Sequence, residues 1–362
     1  GWVAYYRRRY DEARAYADQA ASTTTDDGVR GSARALAGRI RHASGDLAGA
    51  AELLASAGGA PAGVQGVTDV WLGLVRLHQG RPADALDTMA RASTAPDSLA
   101  HHWAALHLRF NRAMALGQLG RVAEALRAAA DMRDAVERQG ALATRFTAHA
   151  ANIEAWVLRW SGRGAEADDR NRHAFDATGG DAGPSSEPVA EGHYVALLDL
   201  ADGRLLLGDG AGAATLVDRL APVDTWVGTM AWHQRHRLGL IRARLALLDG
   251  APADAAYLAL TVADDARSRG AGRYDLLARA VAGLADASIP EEELTRVVDG
   301  LGRCAALDGW PLVAALAAAR GCDRWRSDAE HRAAAMAAAT EPEHADAARR
   351  FAASVLSGRS RP

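Results

Sequence analysis

The sequence predicts an all-α protein: a right-handed superhelix (α-solenoid) of about eight helix hairpins, closed by an irregular helical cap. The first observation behind this prediction is a glycine that recurs every 35 to 46 residues between stretches of helical hydrophobic periodicity. Because glycine commonly ends a helix, each glycine of this series is expected at the turn of a hairpin. The series consists of Gly45, Gly80, Gly120, Gly162, Gly208 and Gly250.

Small residues at fixed distances from these turn glycines are the second observation. Alanine stands three and five residues after every one of them, and the residue seven before is always glycine or alanine. Two antiparallel helices pack closely only where the residues at their contact are small. We therefore expect the residue seven before the turn to face the alanine five after it. Each hairpin then leaves an apolar face that only the next hairpin can cover.

The predicted elements follow the chain in order. Residues 1–22 contain a first hairpin that begins part-way through a helix, and six hairpins then turn at the six glycines. The segment 176–191 is rich in Gly, Pro, Ser and Asp and is predicted to be the longest loop. Units four and five have the clearest helices, predicted at about 98–119, 122–139, 141–161 and 164–177.

The repeat register weakens after about residue 271. An eighth turn is predicted at 288–292, and breaks near Gly309, Gly321 and Pro342 separate three shorter helices. A helical array needs an atypical end to cover its last apolar face. We therefore divide the chain into a repeat array at 1–290 and a C-terminal helical cap at 291–362, continuous with the array.

Composition excludes several classes of function. Of the 362 residues, 49% are hydrophobic and only 6% aromatic, while all 42 basic residues are arginine. A formal net charge of −3 argues against direct nucleic-acid contact or binding to an anionic membrane. No apolar run approaches the roughly 20 residues of a membrane span. The two cysteines, 18 residues apart, fit neither a zinc site nor a disulfide framework, so we expect a cytoplasmic location.

The turn pattern resembles the tetratricopeptide repeat. That family has the same Gly–x–x–Ala–x–Ala turn with a small residue seven before it, although its period is about 34 residues and its terminal proline is missing from most units here. Longer, alanine- and arginine-rich repeats resemble the sensor domain of large MalT-like, LuxR-type transcription activators of actinobacteria. The resemblance covers about residues 1–290. It implies an ATPase module before this segment and a helix-turn-helix module after it, so we expect the chain to be part of a longer protein.

No catalytic, metal-binding or cofactor-binding motif is recognised in the sequence. It contains no His-Glu-x-x-His, Gly-x-Ser-x-Gly or strand-linked Gly-x-Gly-x-x-Gly, and a Walker A motif needs a lysine. The histidine pairs 101–102 and 233/236 lack a third ligand in register. We predict neither an enzyme nor a cofactor or metal requirement.

Candidate binding residues come from the repeat register. In superhelical helix pairs the first helix of each unit lines the concave side, so positions 13, 10, 6 and 3 before each glycine predict an inner stripe. Aromatic anchors mixed with charged and amide side chains suit a groove for a ligand or partner. The competing interpretation is that the aromatic residues fill gaps between helices and the arginines are solvated. The candidates are His107, Phe110, His149, Asn152, Trp156, Arg159, Asp202, Arg237 and Arg244.

Two functions are compatible with these features. The first is a non-catalytic sensor domain of a LuxR-type transcriptional regulator that binds a protein, peptide or small-molecule inducer on its concave face. The alternative is a free-standing adaptor that binds another protein through the same repeats.

Overall fold

The computed structural model describes residues 1–58, 62–92, 99–140, 146–184 and 187–358. Within these ranges every regular element is a helix, as the sequence predicts. None of the described helices combines the length and the hydropathy needed to cross a membrane.

The first twelve helices form six consecutive pairs, and the second helix of each pair follows the first after a short turn. They are α1 (Trp2–Tyr6), α2 (Tyr10–Thr23), α3 (Asp27–Ser44), α4 (Leu47–Ala55), α5 (Ala62–His78), α6 (Pro82–Ala90), α7 (Leu99–Gln118), α8 (Val122–Gln139), α9 (Thr147–Trp160), α10 (Gly164–Ala177), α11 (Glu187–Leu206) and α12 (Gly210–Arg219).

The second half of the chain contains eight more helices. They are α13 (Pro222–Thr225), α14 (Ala231–Leu248), α15 (Pro252–Arg269), α16 (Gly272–Ala285), α17 (Glu291–Cys304), α18 (Trp310–Arg320), α19 (Asp323–Ala338) and α20 (Ala345–Leu356). The predicted division at residue 290 falls between α16 and α17, which pack against each other. Two 3₁₀ turns, Gly180–Ala182 and Pro342–His344, complete the described elements.

The predicted hairpin turns are confirmed. All six turn glycines have a left-handed backbone, with φ between +72° and +91°, a conformation that costs any residue with a Cβ atom. The alanines five residues after them are fully buried, as are the alanines seven before in the last four turns. In the first two turns glycine takes that place, and a Cβ on Gly73 would lie 2.5 Å from the Met89 side chain. Small residues therefore set the helix spacing.

The segment 176–191 differs from its prediction as the longest loop. Helix α10 continues to Ala177, a 3₁₀ turn spans Gly180–Ala182, and α11 already begins at Glu187. Glycine and proline shorten this connection, because they permit tight turns: Gly179, Gly180 and Gly183 all have positive φ. The predicted start of the fifth unit at 141–145 lies outside the described residues.

The helices from α14 onward do more than cover the end of the array, because residues in this part of the chain contact the glycine turns of units two to five. Trp232 donates its indole N–H to the carbonyl of His42, 3.2 Å away, beside the Gly45 turn. The amide of Ala306 donates to the carbonyl of Gln118, and that of Ala123 donates to the carbonyl of Ala339. Backbone bonds between distant segments thus fix the second half of the chain against the first.

A first prediction compares three glycine-to-alanine substitutions. Gly164→Ala should cost no stability, because Gly164 is helical and its Cβ would meet open space. Gly208→Ala should lower the free energy of unfolding by about 1 kcal/mol through its φ of +72° alone. Gly162→Ala should lose at least about 2 kcal/mol, because its Cβ would also lie 2.7 Å from the Ala347 carbonyl oxygen. Urea unfolding measures all three, and equal losses at 162 and 208 would contradict the docking of α20 on this turn.

Candidate ligand-binding cavity

The first helices of the six pairs, together with three later helices, surround a cavity of about 280 Å³. Its wall contains residues of α1, α3, α5, α7, α9, α11, α14, α16 and α18, while α2 is the one described second helix that contributes, through Tyr10. This arrangement arises because each hairpin turns in the same way, so that the same face of every first helix points inward.

Eight of the nine candidate residues lie on this wall. The exception is Arg159, whose side chain is 2% exposed and lies behind the wall, where it pairs with Asp199 at 3.5 Å. The helical period explains this position. Residues 13, 9, 6 and 2 before the turn glycine share one face of the helix. Arg159 stands three residues before Gly162, and its side chain therefore points about 100° away from the residue two before the turn. The eight wall residues are His107, Phe110, His149, Asn152, Trp156, Asp202, Arg237 and Arg244.

Aromatic side chains from neighbouring units form one part of the wall. The Trp71 and His107 rings have centroids 4.5 Å apart, and His107 meets the edge of Phe146 at 5.1 Å. Trp156 on α9 packs directly over Gly117 on α7, where an added Cβ would lie 2.3 Å from the indole ring. Glycine at 117 thus creates the space that Trp156 occupies.

A chain of buried ion pairs forms another part of the wall. On α11, Asp199 lies 2.5 Å from Arg237 Nη2, and Asp202 lies 3.4 Å from the same nitrogen and 2.7 Å from Arg244 Nη1. With Arg159 behind Asp199, three guanidinium groups share two carboxylates. Burial alone would lower the pKa of Arg237, but the charges of Asp199 and Asp202 outweigh it and raise that pKa. The two carboxylates therefore stabilise the charged form of Arg237.

Neutral histidines lie beside the ion chain. Nε2 of His42 is 3.2 Å from Nδ1 of His78, and His233 Nε2 is 2.9 Å from the Tyr274 hydroxyl. Burial lowers the pKa of His78 to about 3, with further lowering by the charges of Arg273 and His236. Burial also takes the pKa of His42 and His233 well below its usual value. These imidazoles therefore serve as neutral donors and acceptors at physiological pH.

Several wall residues carry buried polar atoms that have no hydrogen-bond partner among the described residues. Asn111 and Asn152 each donate an amide N–H to a backbone carbonyl, but their side-chain oxygens accept nothing. Gln118 has an unpaired side-chain oxygen, and both polar atoms of the fully buried Gln234 are unpaired. Unpaired buried amides cost about 1 to 3 kcal/mol each, so helix packing alone does not explain their concentration in this wall.

Of the two histidine pairs considered as metal ligands, His233 and His236 bond to other side chains, and the side chains of the pair at 101–102 are not described. His236 pairs with Asp265 at 2.6 Å and His233 with Tyr274, so their rings serve different partners. The side chains of residues 101 and 102 are not among those described. Elsewhere in the described chain, Glu341, Glu343 and His344 bring ligand atoms within 4.8 Å of one another, but Glu341 is also paired with Arg127.

The sequence matches no model of a known protein family, and no curated protein is similar to it at the level that the comparison requires.

Some wall residues were missed by the sequence analysis. Trp71 and Asp199 stand nine residues before their turn glycines and His78 stands two before, positions that the predicted stripe did not include. An i, i+4, i+7, i+11 pattern would have found them. Arg273 and Tyr274 lie on α16, after the repeat register weakens, and no periodic signal marks them.

A second prediction concerns the buried ion chain. Asp199→Asn should lower the free energy of unfolding by about 3 kcal/mol or more, because it leaves the buried Arg159 without a counter-ion and Arg237 with only the longer contact to Asp202. The matched control is Asp224→Asn, which removes a surface partner of Arg242 on the same α14 and should cost less than about 1 kcal/mol. Urea unfolding of both variants checks the difference. Similarly small losses of unfolding free energy in the two variants would show that the ion pairs around Asp199 are exposed to solvent.

A third prediction concerns pH. The folded pKa of His78 lies below its unfolded value, so its contribution to stability is complete above about pH 6.5 and is lost as the pH falls towards 3. Between about pH 7 and pH 5, wild type should lose about 2 kcal/mol more stability than His78→Gln. Urea unfolding at both pH values measures the difference. Parallel losses in the two proteins would contradict a neutral, buried His78.

Proposed function

We propose that this chain is a non-catalytic, small-molecule-binding sensor domain of a cytoplasmic, LuxR-type transcriptional regulator. In this proposal the helix pairs form a right-handed, tetratricopeptide-like superhelix whose inner side is the cavity. The observation that carries the proposal is the convergence of nine helices, the first helices of the six pairs with α14, α16 and α18, on one cavity with a mixed aromatic and charged wall. Ligand sites typically combine an apolar lining with a few placed polar groups in this way.

The size of the cavity favours a small molecule over a protein partner. About 280 Å³ is close to the lower limit of ligand pockets, whereas an α-helix with its side chains is about 10 to 12 Å across. A protein or a peptide on the concave face is therefore less favoured than a small molecule. The helices that cross the turns of units two to five also occupy part of the surface that an adaptor would present.

The chemistry of the wall supports binding rather than catalysis. Asp199, Asp202 and Asp308 are each ion-paired with arginine, so their oxygens are engaged by the protein itself. General acid–base catalysis instead needs a group whose pKa lies near the working pH, and burial takes the pKa of His78 far below it.

A ligand in this cavity would contact both parts of the chain. The wall includes Arg273 and Tyr274 from α16 and Leu312 from α18, as well as residues of the six N-terminal pairs. A ligand shifts an equilibrium only by binding one state better, and contacts that span both parts provide such a difference. We propose that the shift is passed to a DNA-binding module beyond the segment. The unpaired Cys304 and Cys322 are compatible with a reducing, cytoplasmic location.

A fourth prediction tests the cavity as a ligand site. The small-molecule fraction of a cell extract should raise the thermal midpoint of the purified protein by several degrees, because a ligand that binds only the folded state stabilises it. Trp156→Ala and Arg244→Ala should each abolish the rise, since both side chains line the cavity. Trp226→Ala and Arg242→Ala, outside the wall, should retain it. Stabilisation by the protein fraction alone would support the adaptor alternative.

A further inference from the structure

We infer that the ligand of this cavity is an organic anion, a carboxylate or a phosphate on an apolar body, and that Arg244 together with Arg237 holds its charged group. This inference rests on the proposed function, because it names the class of ligand for the same cavity. It comes from the charge and hydrogen-bond inventory of the ion chain.

The ion chain carries an excess positive charge. Arg159, Arg237 and Arg244 share only Asp199 and Asp202, and each of the five side chains is at most 17% exposed. No other carboxylate in the described part of the chain pairs with these arginines. A buried charge without a counter-ion is strongly destabilising, so a net charge of +1 next to a cavity favours an anion inside it.

Neighbouring acids do not remove this excess. Asp168 near Arg159 pairs with Arg172 at 3.7 Å, and Asp308 across the cavity pairs with Arg273. Glu191, also on the wall, lies 3.9 Å from His149. None of these three carboxylates forms an ion pair with Arg159, Arg237 or Arg244.

Arg244 offers the donors that such an anion needs. It lines the cavity, is 9% exposed and uses only Nη1 for Asp202. Its Nε and Nη2 have no hydrogen-bond partner among the described residues and less than 1 Å² of accessible surface each, so an anion reaches them only when the guanidinium turns towards the cavity. These two N–H groups lie on the same edge of the guanidinium plane, the edge that binds both oxygens of a carboxylate or phosphate in parallel.

The rest of the wall specifies the body of the ligand. Three side chains contribute aromatic surface: Phe110 from α7, Phe146 from the position just before α9, and Trp156 from α9. A volume of about 280 Å³ leaves room for one or two rings beside the charged group. An aryl acid fits both parts of the wall, whereas a neutral sugar or a cation leaves the excess charge in place.

The test uses matched acids and neutral analogues. Calorimetric titration compares 3-phenylpropionate and phenethyl phosphate with 3-phenylpropanamide. We expect the better anion to bind at least about tenfold more tightly than the amide, as a charge-assisted bidentate contact provides. The order of the two anions distinguishes a carboxylate from a phosphate ligand.

Two substitutions of opposite sign locate the effect. Arg244→Gln should weaken anion binding to the level of the amide, with amide binding unchanged. Asp202→Asn should tighten anion binding alone, because it frees Arg244 and removes the longer of the two carboxylate contacts of Arg237. A residue with only a structural role would weaken all probes together. Arg242→Gln, on the same helix but paired with Asp224 at the surface, is the control and should keep the full preference.

Each other outcome is decisive. If amide and anion bind wild type equally, the cavity is a ligand site but its ligand is not an anion. If Arg244→Gln keeps the preference, or Asp202→Asn weakens anion binding, the assignment to Arg244 is wrong. If none of the probes binds although the small-molecule fraction of the extract stabilises the protein, this inference is overturned and the proposed function stands. If neither the probes nor that fraction has an effect, both are overturned.

Discussion

Close packing within each helix pair is the constraint on which the rest of this structure depends. Fully buried alanines, or a glycine facing a larger side chain, hold the two helices of a pair together, and a left-handed glycine reverses the chain between them. Because every pair turns in the same way, every first helix presents the same face to the interior. The part of the cavity wall that the six pairs contribute therefore follows from a spacing rule repeated along the sequence.

The interior of this protein is polar to an extent that stability alone does not require. Buried arginines, aspartates, amides and histidines surround the cavity, although burying such groups opposes folding unless they are paired. Stability comes from elsewhere, through the apolar contacts between helices and the backbone bonds by which Ala306 and Ala123 join the two halves of the chain. Under the proposed function, a bound ligand explains the polar wall.

The sequence predicts the repeating features well, because spacing encodes them. The six glycine turns and the helices beside them follow from local chemistry, and eight wall residues follow from the register. What the sequence does not encode locally was missed. The contact between Trp232 and the Gly45 turn joins residues 187 positions apart, and the pairing of Asp199 with two arginines depends on three helices meeting. Arg159 was misplaced because a one-residue step turns a helix by about 100°.

Crystallographic soaking with a set of small aromatic and polar fragments tests the central claim most directly, because it locates bound molecules without assuming which ligand is natural. The account predicts that fragments occupy the interior cavity, in contact with Trp156 and Arg237. The first helices should keep their inward-facing side chains around those fragments. Fragments bound only at the outer surface, with the interior filled by the protein's own side chains, would contradict the account.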